Sequence, residues 1–434
     1  MKKEKVGMGR RVSVCLCLSQ VPSTTWTRSR HLENLTMEQG TVNNGRDDGW
    51  LQILRLAFHS RLPIYIARDS PDLENREKGY AIVKLTKLRQ LLQEQKLDAL
   101  LITNPYNRRY LTGFTGTAGV AVVSAEDAVF ITDFRYMEQA EKQVEGYRIV
   151  QHSKTVIGEV ANQAKLMNLQ TLGFEKDDLT YGMFELYDQQ VAAELKPVSG
   201  VVEKLRLIKT EAEIAILKKA AHIADEAFSH ICKFIKPGVT ELEVSNELEF
   251  FMRKLGAASS SFDTIVASGS RGALPHGVAT DKVIESGELV TLDYGAYYEG
   301  YISDITRTVA VGEPSVKMKK IYDITLAAQE LALRKIKPGM TGIEADAIAR
   351  DYIISKGYGE AFGHSTGHGI GLEVHEGPTL SFRSDAVLQP NMAVTVEPGI
   401  YLPGIGGVRI EDDIIITETG NERLTHSTKQ LLIL

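Results

Sequence analysis

The sequence predicts an α/β domain followed by an α+β domain assembled from two copies of one unit. Three observations carry this reading. Helix-type and strand-type apolar periodicities alternate across residues 83–205. The string Ile235-Lys-Pro-Gly-Val-Thr recurs, with one change, as Ile336-Lys-Pro-Gly-Met-Thr, 101 residues later. Downstream of each copy, acidic residues stand in the same order within apolar segments. A chain of 434 residues also exceeds what one ordinary core organises.

In the first domain, Leu85, Leu88, Leu91, Leu92 and Leu97 recur at helical spacing. Ala99-Leu-Leu-Ile-Thr then reads as a short buried strand, and Gly113-Phe-Thr-Gly as a turn. Gly119–Ser124 and Ala128–Thr132 read as strands, and Tyr136–Val144 as a helix. The α/β domain is placed at 83–205, and a long helix is expected from near Glu211. The second domain is placed at 206–434. In each of its copies a helix leads to Lys-Pro-Gly, and Thr240 or Thr341 is suited to cap the next one. Gly256 and Gly357 keep the same offset. Further on, His276 corresponds roughly to His375, Asp293 to Glu397, and Asp304 to Glu411. Two such units related by a pseudo-twofold axis would each send one histidine and two carboxylates to a shared centre.

Composition narrows the classes. The net charge is −6 and no basic stripe is present, which argues against a nucleic-acid partner. No apolar run approaches the roughly 20 residues of a membrane span. Three cysteines, Cys15, Cys17 and Cys232, make no disulfide framework, and a reducing, cytoplasmic setting fits. Cys232 is expected to be a small buried apolar residue. Residues 1–82 show no sustained periodicity, and Val12–Leu18 lacks the cleavage site of a signal peptide. Patterned sequence begins at Val83. A GTG start codon is translated as valine inside a reading frame, and Arg76-Glu-Lys-Gly can be encoded by purine-rich codons. In a bacterial source, Val83 is therefore the expected native start and residues 1–82 translated upstream DNA. A natural disordered extension is the alternative.

The acidic residues suggest chemistry. Asp293 closes the run Val-Thr-Leu-Asp, and Asp304 opens Asp-Ile-Thr-Arg-Thr-Val, with a hairpin expected around Tyr297–Gly300. Taken alone, the pair is equally compatible with surface aspartates beside a turn. The second copy changes the balance, because Glu397 ends Ala-Val-Thr-Val-Glu and Glu411 lies within Gly-Val-Arg-Ile-Glu-Asp-Asp-Ile-Ile-Ile. Buried carboxylates repel one another and need a cation. His368 sits in the glycine-rich Gly363-His-Ser-Thr-Gly-His-Gly-Ile-Gly. One imidazole and four carboxylates suit two divalent ions that favour oxygen and nitrogen, such as manganese. The Gly367-x-Gly-x-Gly spacing is no dinucleotide loop, because Leu372 fills the third glycine position and no βαβ unit surrounds it.

The strings His364-Ser-Thr-Gly-His-Gly-Ile-Gly, Glu397-Pro-Gly-Ile-Tyr and Gly407-Val-Arg-Ile-Glu-Asp resemble the aminopeptidase P and prolidase branch of the pita-bread metallopeptidases. The resemblance covers about residues 83–434 and implies a creatinase-like N-terminal domain before a pita-bread catalytic domain. It implies two divalent ions, manganese first, with cobalt, zinc or iron as alternatives. Asp293 and Glu411 would bridge them, Asp304 would chelate one, and His368 and Glu397 would complete the other. A metal-bridged hydroxide would attack the carbonyl before proline, in a dipeptide or at the N-terminus of a longer peptide. Glu397 would relay the proton, and His375 would hydrogen-bond the developing oxyanion. His276 would steady the substrate from the other side. His364 and Arg409 would line the proline and carboxylate pocket, although Arg409 also suits a structural partner of the carboxylates and His364 a brace of the glycine loop. A homodimer is implied as well. A non-catalytic homologue or a creatinase-like amidinohydrolase is the alternative, and the complete ligand set disfavours both.

Overall fold

The computed structural model describes the backbone of residues 71–434, with side chains from Ile82 onward. The expectations about Cys15, Cys17 and Val12–Leu18 lie outside the described residues. The first helix, α1, runs from Pro71 to Glu94 and so begins ahead of the boundary expected at Val83. A helix nucleated by the Leu-rich segment extends backward through Lys78, Glu77, Arg76, Glu74 and Leu73, good helix formers that outweigh Gly79 and Asn75, without needing an apolar period there.

Six strands form one mixed sheet: β1 (Ala99–Ile102), β2 (Val120–Ser124), β3 (Ala128–Thr132), β4 (Arg148–Gln151), β5 (Thr171–Glu175) and β6 (Glu194–Val198), in the order β4-β3-β2-β1-β5-β6. β1 is antiparallel to β2 and parallel to β5. Leu100, Ile102, Ala121, Val123 and Phe130 face α1, packing on Leu85, Leu88 and Leu92. Leu101, Val122, Val129 and Ile131 face the other way, onto Ile157, Val160 and Ala164 of a helix at Val156–Leu166. Both faces are covered, so these strands read as unbroken apolar runs rather than alternating ones. The helix Pro105–Thr112 escaped the periodicity reading, yet its ends are well marked. The Asn104 side chain accepts from the backbone N–H of Tyr106 and Asn107 at 2.9 and 3.0 Å, and Gly113 ends it in the left-handed region at φ 73°.

Ile82 and Val83 are exposed, and the buried face of α1 starts at Leu85. A chain beginning at residue 83, with Val83→Met, is therefore expected to fold with a melting temperature within about 2 °C of the full chain. Aggregation of the shortened chain, or a fall of about 10 °C, would show that α1 needs its earlier residues.

The second domain follows its internal repeat closely. The first copy contains Glu211–Ile231, Glu241–Lys254 and a three-stranded antiparallel sheet of Ile265–Ser268, Glu288–Tyr294 and Ile305–Val311. The second contains Val316–Lys335, Gly342–Ser355 and a five-stranded sheet centred on Ala393–Val396, which pairs with Asp412–Ile416. Thr240 with Glu243, and Thr341 with Glu344, form equivalent capping boxes. The preceding glycines also match: the N–H of Gly238 bonds Ile284 O and that of Gly339 bonds Leu388 O, both at positive φ. Each copy has its own apolar core. Cys232 is half-buried at the margin of the first, rather than inside it, and burial pushes its thiol up to about 11. The expected hairpin is present, with Tyr298 paired to Tyr301 across Glu299 and Gly300.

Residues 80–434 make one compact unit. The core under α1 continues into the second domain through Tyr301, Ile302, Ile370 and Leu372. The two domains thus share buried apolar surface.

Candidate metal centre

All nine residues singled out from sequence line one cavity of about 780 Å³. Asp293 lies near the end of strand Glu288–Tyr294, and Asp304 directly precedes strand Ile305–Val311. Glu397 directly follows Ala393–Val396, and Glu411 directly precedes Asp412–Ile416. Glu411 is thus between strands rather than inside one. His368 comes from the short strand Gly367–Gly369, where a Cβ on Gly367 would collide with the backbone oxygen of Thr395. Glycine at 367 lets the His368 strand lie tightly against the Glu397 strand.

The donors converge. Single donor atoms of Asp304, His368 and Glu411 all lie within 4.8 Å of one another. His368 Nε2 is 3.4 Å from Glu397 Oε1 and 3.8 Å from Asp304 Oδ2. Its Nδ1 is 3.1 Å from the carbonyl oxygen of Gly369, which can only accept, so Nδ1 carries the proton and the Nε2 lone pair faces the carboxylates. The Thr306 hydroxyl donates to Glu411 Oε2 at 2.7 Å, and His368 N donates to Thr395 Oγ1 at 3.1 Å. Among the described residues, the buried Oδ1 atoms of Asp293 and Asp304 have no hydrogen-bond partner.

The electrostatics call for a cation. Burial, then Glu411 and Asp293, raise Asp304 well above the usual carboxylate range. Burial, then Glu397 and Asp293, do the same to Glu411. Glu397 is pushed up to about 8 by burial and Asp293, against opposition from Arg409 and Thr395. His368 is lowered to about 4 by burial and the nearby His375. Clustered acids that resist ionising together, unpartnered oxygens and an oriented imidazole fit divalent cations. No thiolate is among the donors, which disfavours a structural zinc site.

Arg409 pairs with one of the acids, as the structural role open to it in sequence requires. It is only 3% exposed, and its guanidinium donates to Asp293 Oδ2, Thr306 Oγ1, Pro275 O and the Tyr401 hydroxyl. It is a buried partner of an acid that also lines the cavity. His364 is engaged too. Its Nδ1 donates to Ser365 O at 2.8 Å, and its Nε2, 2.8 Å from Tyr401, accepts that hydroxyl proton. Burial and Arg409 lower His364 to about 4, so it is neutral. A directed chain therefore runs from Arg409 through Tyr401 to His364. By contrast, among the described residues the ring nitrogens of His276 and His375 make no hydrogen bond, although both rings line the cavity. His375 lies against His368 with ring centroids 4.4 Å apart.

Sequence reasoning missed three participants. Tyr401 was visible in Glu397-Pro-Gly-Ile-Tyr, but its position between Arg409 and His364 requires the Gly399–Leu402 hairpin. Thr306 followed Asp304 by two residues, yet it bonds Glu411 in the other copy. Asp413 accepts the backbone N–H of Asp304 at 2.8 Å and is itself buried. Contacts that cross from one repeat to the other leave no mark in local spacing.

The fold and this donor set define a metallopeptidase. The sequence model of metallopeptidase family M24 matches residues 215–418, and that of the creatinase/prolidase N-terminal domain matches residues 84–208. The chain is 60% identical to the uncharacterized peptidase YqhT of Bacillus subtilis over 353 residues, covering 81% of this chain and all of that one. It is 43% identical to an Xaa-Pro dipeptidase of Pyrococcus furiosus, over 80% of this chain and 99% of that one. The solved structure of an Xaa-Pro dipeptidase from Bacillus anthracis is 65% identical, with a TM-score of 0.81 over 82% of this chain and all of that one. The chain belongs to metallopeptidase family M24, in its aminopeptidase P and prolidase branch, and is a pita-bread enzyme with a creatinase-like N-terminal domain.

Proposed function

We propose that this enzyme hydrolyses the Xaa-Pro bond of dipeptides, using two divalent metal ions held by Asp293, Asp304, His368, Glu397 and Glu411. The convergence of these five side chains on one cavity carries the reading. The Xaa-Pro dipeptidases among its relatives support the substrate class. Bound there, two divalent ions lower the pKa of water so that a hydroxide nucleophile is available at neutral pH. Manganese is the first choice because the donors are mostly carboxylate, with cobalt, zinc or iron as alternatives.

The residues of the chain supply the remaining functions. His375 presents an unengaged ring nitrogen to the substrate carbonyl oxygen and stabilises the charge that develops there. His276, unengaged as well, holds the substrate from the opposite wall. Glu397, 3.4 Å from His368 at the edge of the donor set, passes the proton to the leaving imino nitrogen. The Arg409–Tyr401–His364 chain keeps Asp293 fixed and gives the proline end a neutral wall. The free thiol of Cys232 agrees with a reducing, cytoplasmic setting, and a homodimer is expected by resemblance. Among the described residues no helix is long and apolar enough to cross a membrane.

A cavity of about 780 Å³ leaves hydrolysis of longer Xaa-Pro peptides as the second reading. The decisive assay compares Gly-Pro with a longer Xaa-Pro peptide on manganese-loaded enzyme. Release of proline from Gly-Pro with the higher kcat/KM is the expected result. Cleavage of the longer peptide alone would make the enzyme an aminopeptidase, and cleavage of neither would overturn the peptidase reading.

A further inference from the structure

The segment between the two domains carries a buried ion cluster that the chemistry above does not use. Arg206 ends the helix Val201–Arg206, and Lys209 directly precedes Thr210, the N-cap of the helix Glu211–Ile231. Their side chains are 3% and 2% exposed. Both reach Glu376, the residue after His375. Lys209 Nζ donates to Glu376 Oε1 at 2.6 Å, and Arg206 Nη2 donates to Glu376 Oε2. The same Nη2 donates to Glu373 Oε2 at 2.6 Å. His375 is therefore bracketed by two carboxylates tied to one guanidinium.

The attachment continues on both sides. Lys209 N donates to Asn391 O and Lys209 Nζ to Arg206 O, so the lysine is held at its backbone and its tip. Arg206 Nη1 donates to Asn107 Oδ1 at 2.9 Å, and Asn107 Nδ2 donates to Glu175 Oε1 at 2.7 Å in the first domain. Packing reinforces the bonds. A Cβ on Gly377 would lie 2.8 Å from Leu207, and one on Gly371 would collide with the Glu376 carboxylate. The loop that carries His375 thus has a fixed anchor at each end.

Such an anchor matters because His375 has no hydrogen-bond partner of its own among the described residues. A donor aimed at a developing oxyanion is effective only when it is held in place before the reaction. We propose that Arg206 and Lys209 are positioning residues for hydrolysis, holding His375 against the substrate through Glu376 and Glu373. This rests on the role given to His375 above. It also assigns the N-terminal domain a part in catalysis, because Arg206 is braced by Asn107.

The test measures kcat, KM and bound manganese on Gly-Pro for Arg206→Met, Lys209→Met and His375→Ala, and for each of the first two combined with His375→Ala. Arg206→Met and Lys209→Met are each expected to lower kcat by about 10–100-fold, the scale of a misplaced catalytic group, with KM and metal content within about twofold. Combined with His375→Ala, either change is expected to add less than about threefold, because the group it positions is gone. Unchanged kcat in both single variants, or losses that multiply in the combined variants, overturn the proposal. A folding defect or a loss of metal would move KM, metal content and melting temperature together, without that dependence on His375. Should Lys209→Met fail to fold, Lys209→Met combined with Glu376→Gln removes the carboxylate charge that the single change would orphan, while Arg206 keeps Glu373, and is held to the same criteria. Full activity in His375→Ala, with Gly-Pro still cleaved by the unaltered enzyme, overturns the role of His375 and this proposal together. An unaltered enzyme that cleaves neither Gly-Pro nor a longer Xaa-Pro peptide overturns the peptidase reading itself.

Discussion

His368→Ala is expected to leave the enzyme without its full metal complement and to lower kcat/KM by more than the ~10²–10³-fold that losing one oxyanion donor costs. His368 is the one imidazole among four carboxylates, and its Nε2 lies 3.4 Å from Glu397 and 3.8 Å from Asp304. Removing it takes away a neutral donor and leaves the acids to repel one another. The same acids make metal binding depend on pH. Asp304 and Glu411 are raised by burial and by neighbouring carboxylates, and Glu397 is raised to about 8, so in metal-free enzyme Glu397 retains a proton at neutral pH that a cation must displace. Calorimetry at pH 7 in buffers of different ionisation enthalpy should register proton release on manganese binding, and affinity should fall as pH falls. The stability of the chelated enzyme follows the same sign. A carboxylate whose folded pKa is raised favours the folded state below its unfolded pKa, and that contribution is lost as pH rises through the folded value. Chelated protein should therefore melt at lower temperature as pH rises from about 4 to about 8, with bound metal removing the trend. Full activity after exhaustive chelation, or no proton release, would contradict this account.

His375→Ala is expected to lower kcat by about 10²–10³-fold with metal content intact. Its ring meets His368 edge-on at a centroid distance of 4.4 Å, yet among the described residues its nitrogens have no partner and the residue lines the cavity. It can therefore leave the protein without removing a metal donor. A purely structural role predicts a different pattern, a lower melting temperature with kcat preserved in the folded fraction. Loss of metal in His375→Ala would mean that this histidine, and not His368 alone, belongs to the metal set. Metal content, melting temperature and kcat measured on both histidine variants separate these cases.

Much of this was legible before any coordinates. The capping threonines at 240 and 341 and the Lys-Pro-Gly turns are local devices, so their recurrence exposed the repeat directly. A carboxylate at the edge of an apolar strand is an energetic anomaly that one dimension can display, which is why Asp293, Asp304, Glu397 and Glu411 stood out. Partners at long separation were not legible. Whether Arg409 faces substrate or an acid depends on Asp293 and Tyr401, which reach it from separate strands. The helix Pro105–Thr112 escaped because its packing face is short and partly polar, with Asn107 and Arg108 buried.

By itself, then, the sequence determined the two-domain order, the doubled unit and four anomalous carboxylates, because each is written in local periodicity, capping or an out-of-place charge. Only the tertiary structure decided which of those side chains are free to act. Arg409 and His364 are held by Tyr401, while among the described residues the ring nitrogens of His276 and His375 have no partner. It alone showed the linker cations Arg206 and Lys209 beside the His375 loop. The reason is physical. A buried polar group must find its partner wherever the chain brings one, and Arg206 finds Glu376 170 residues away.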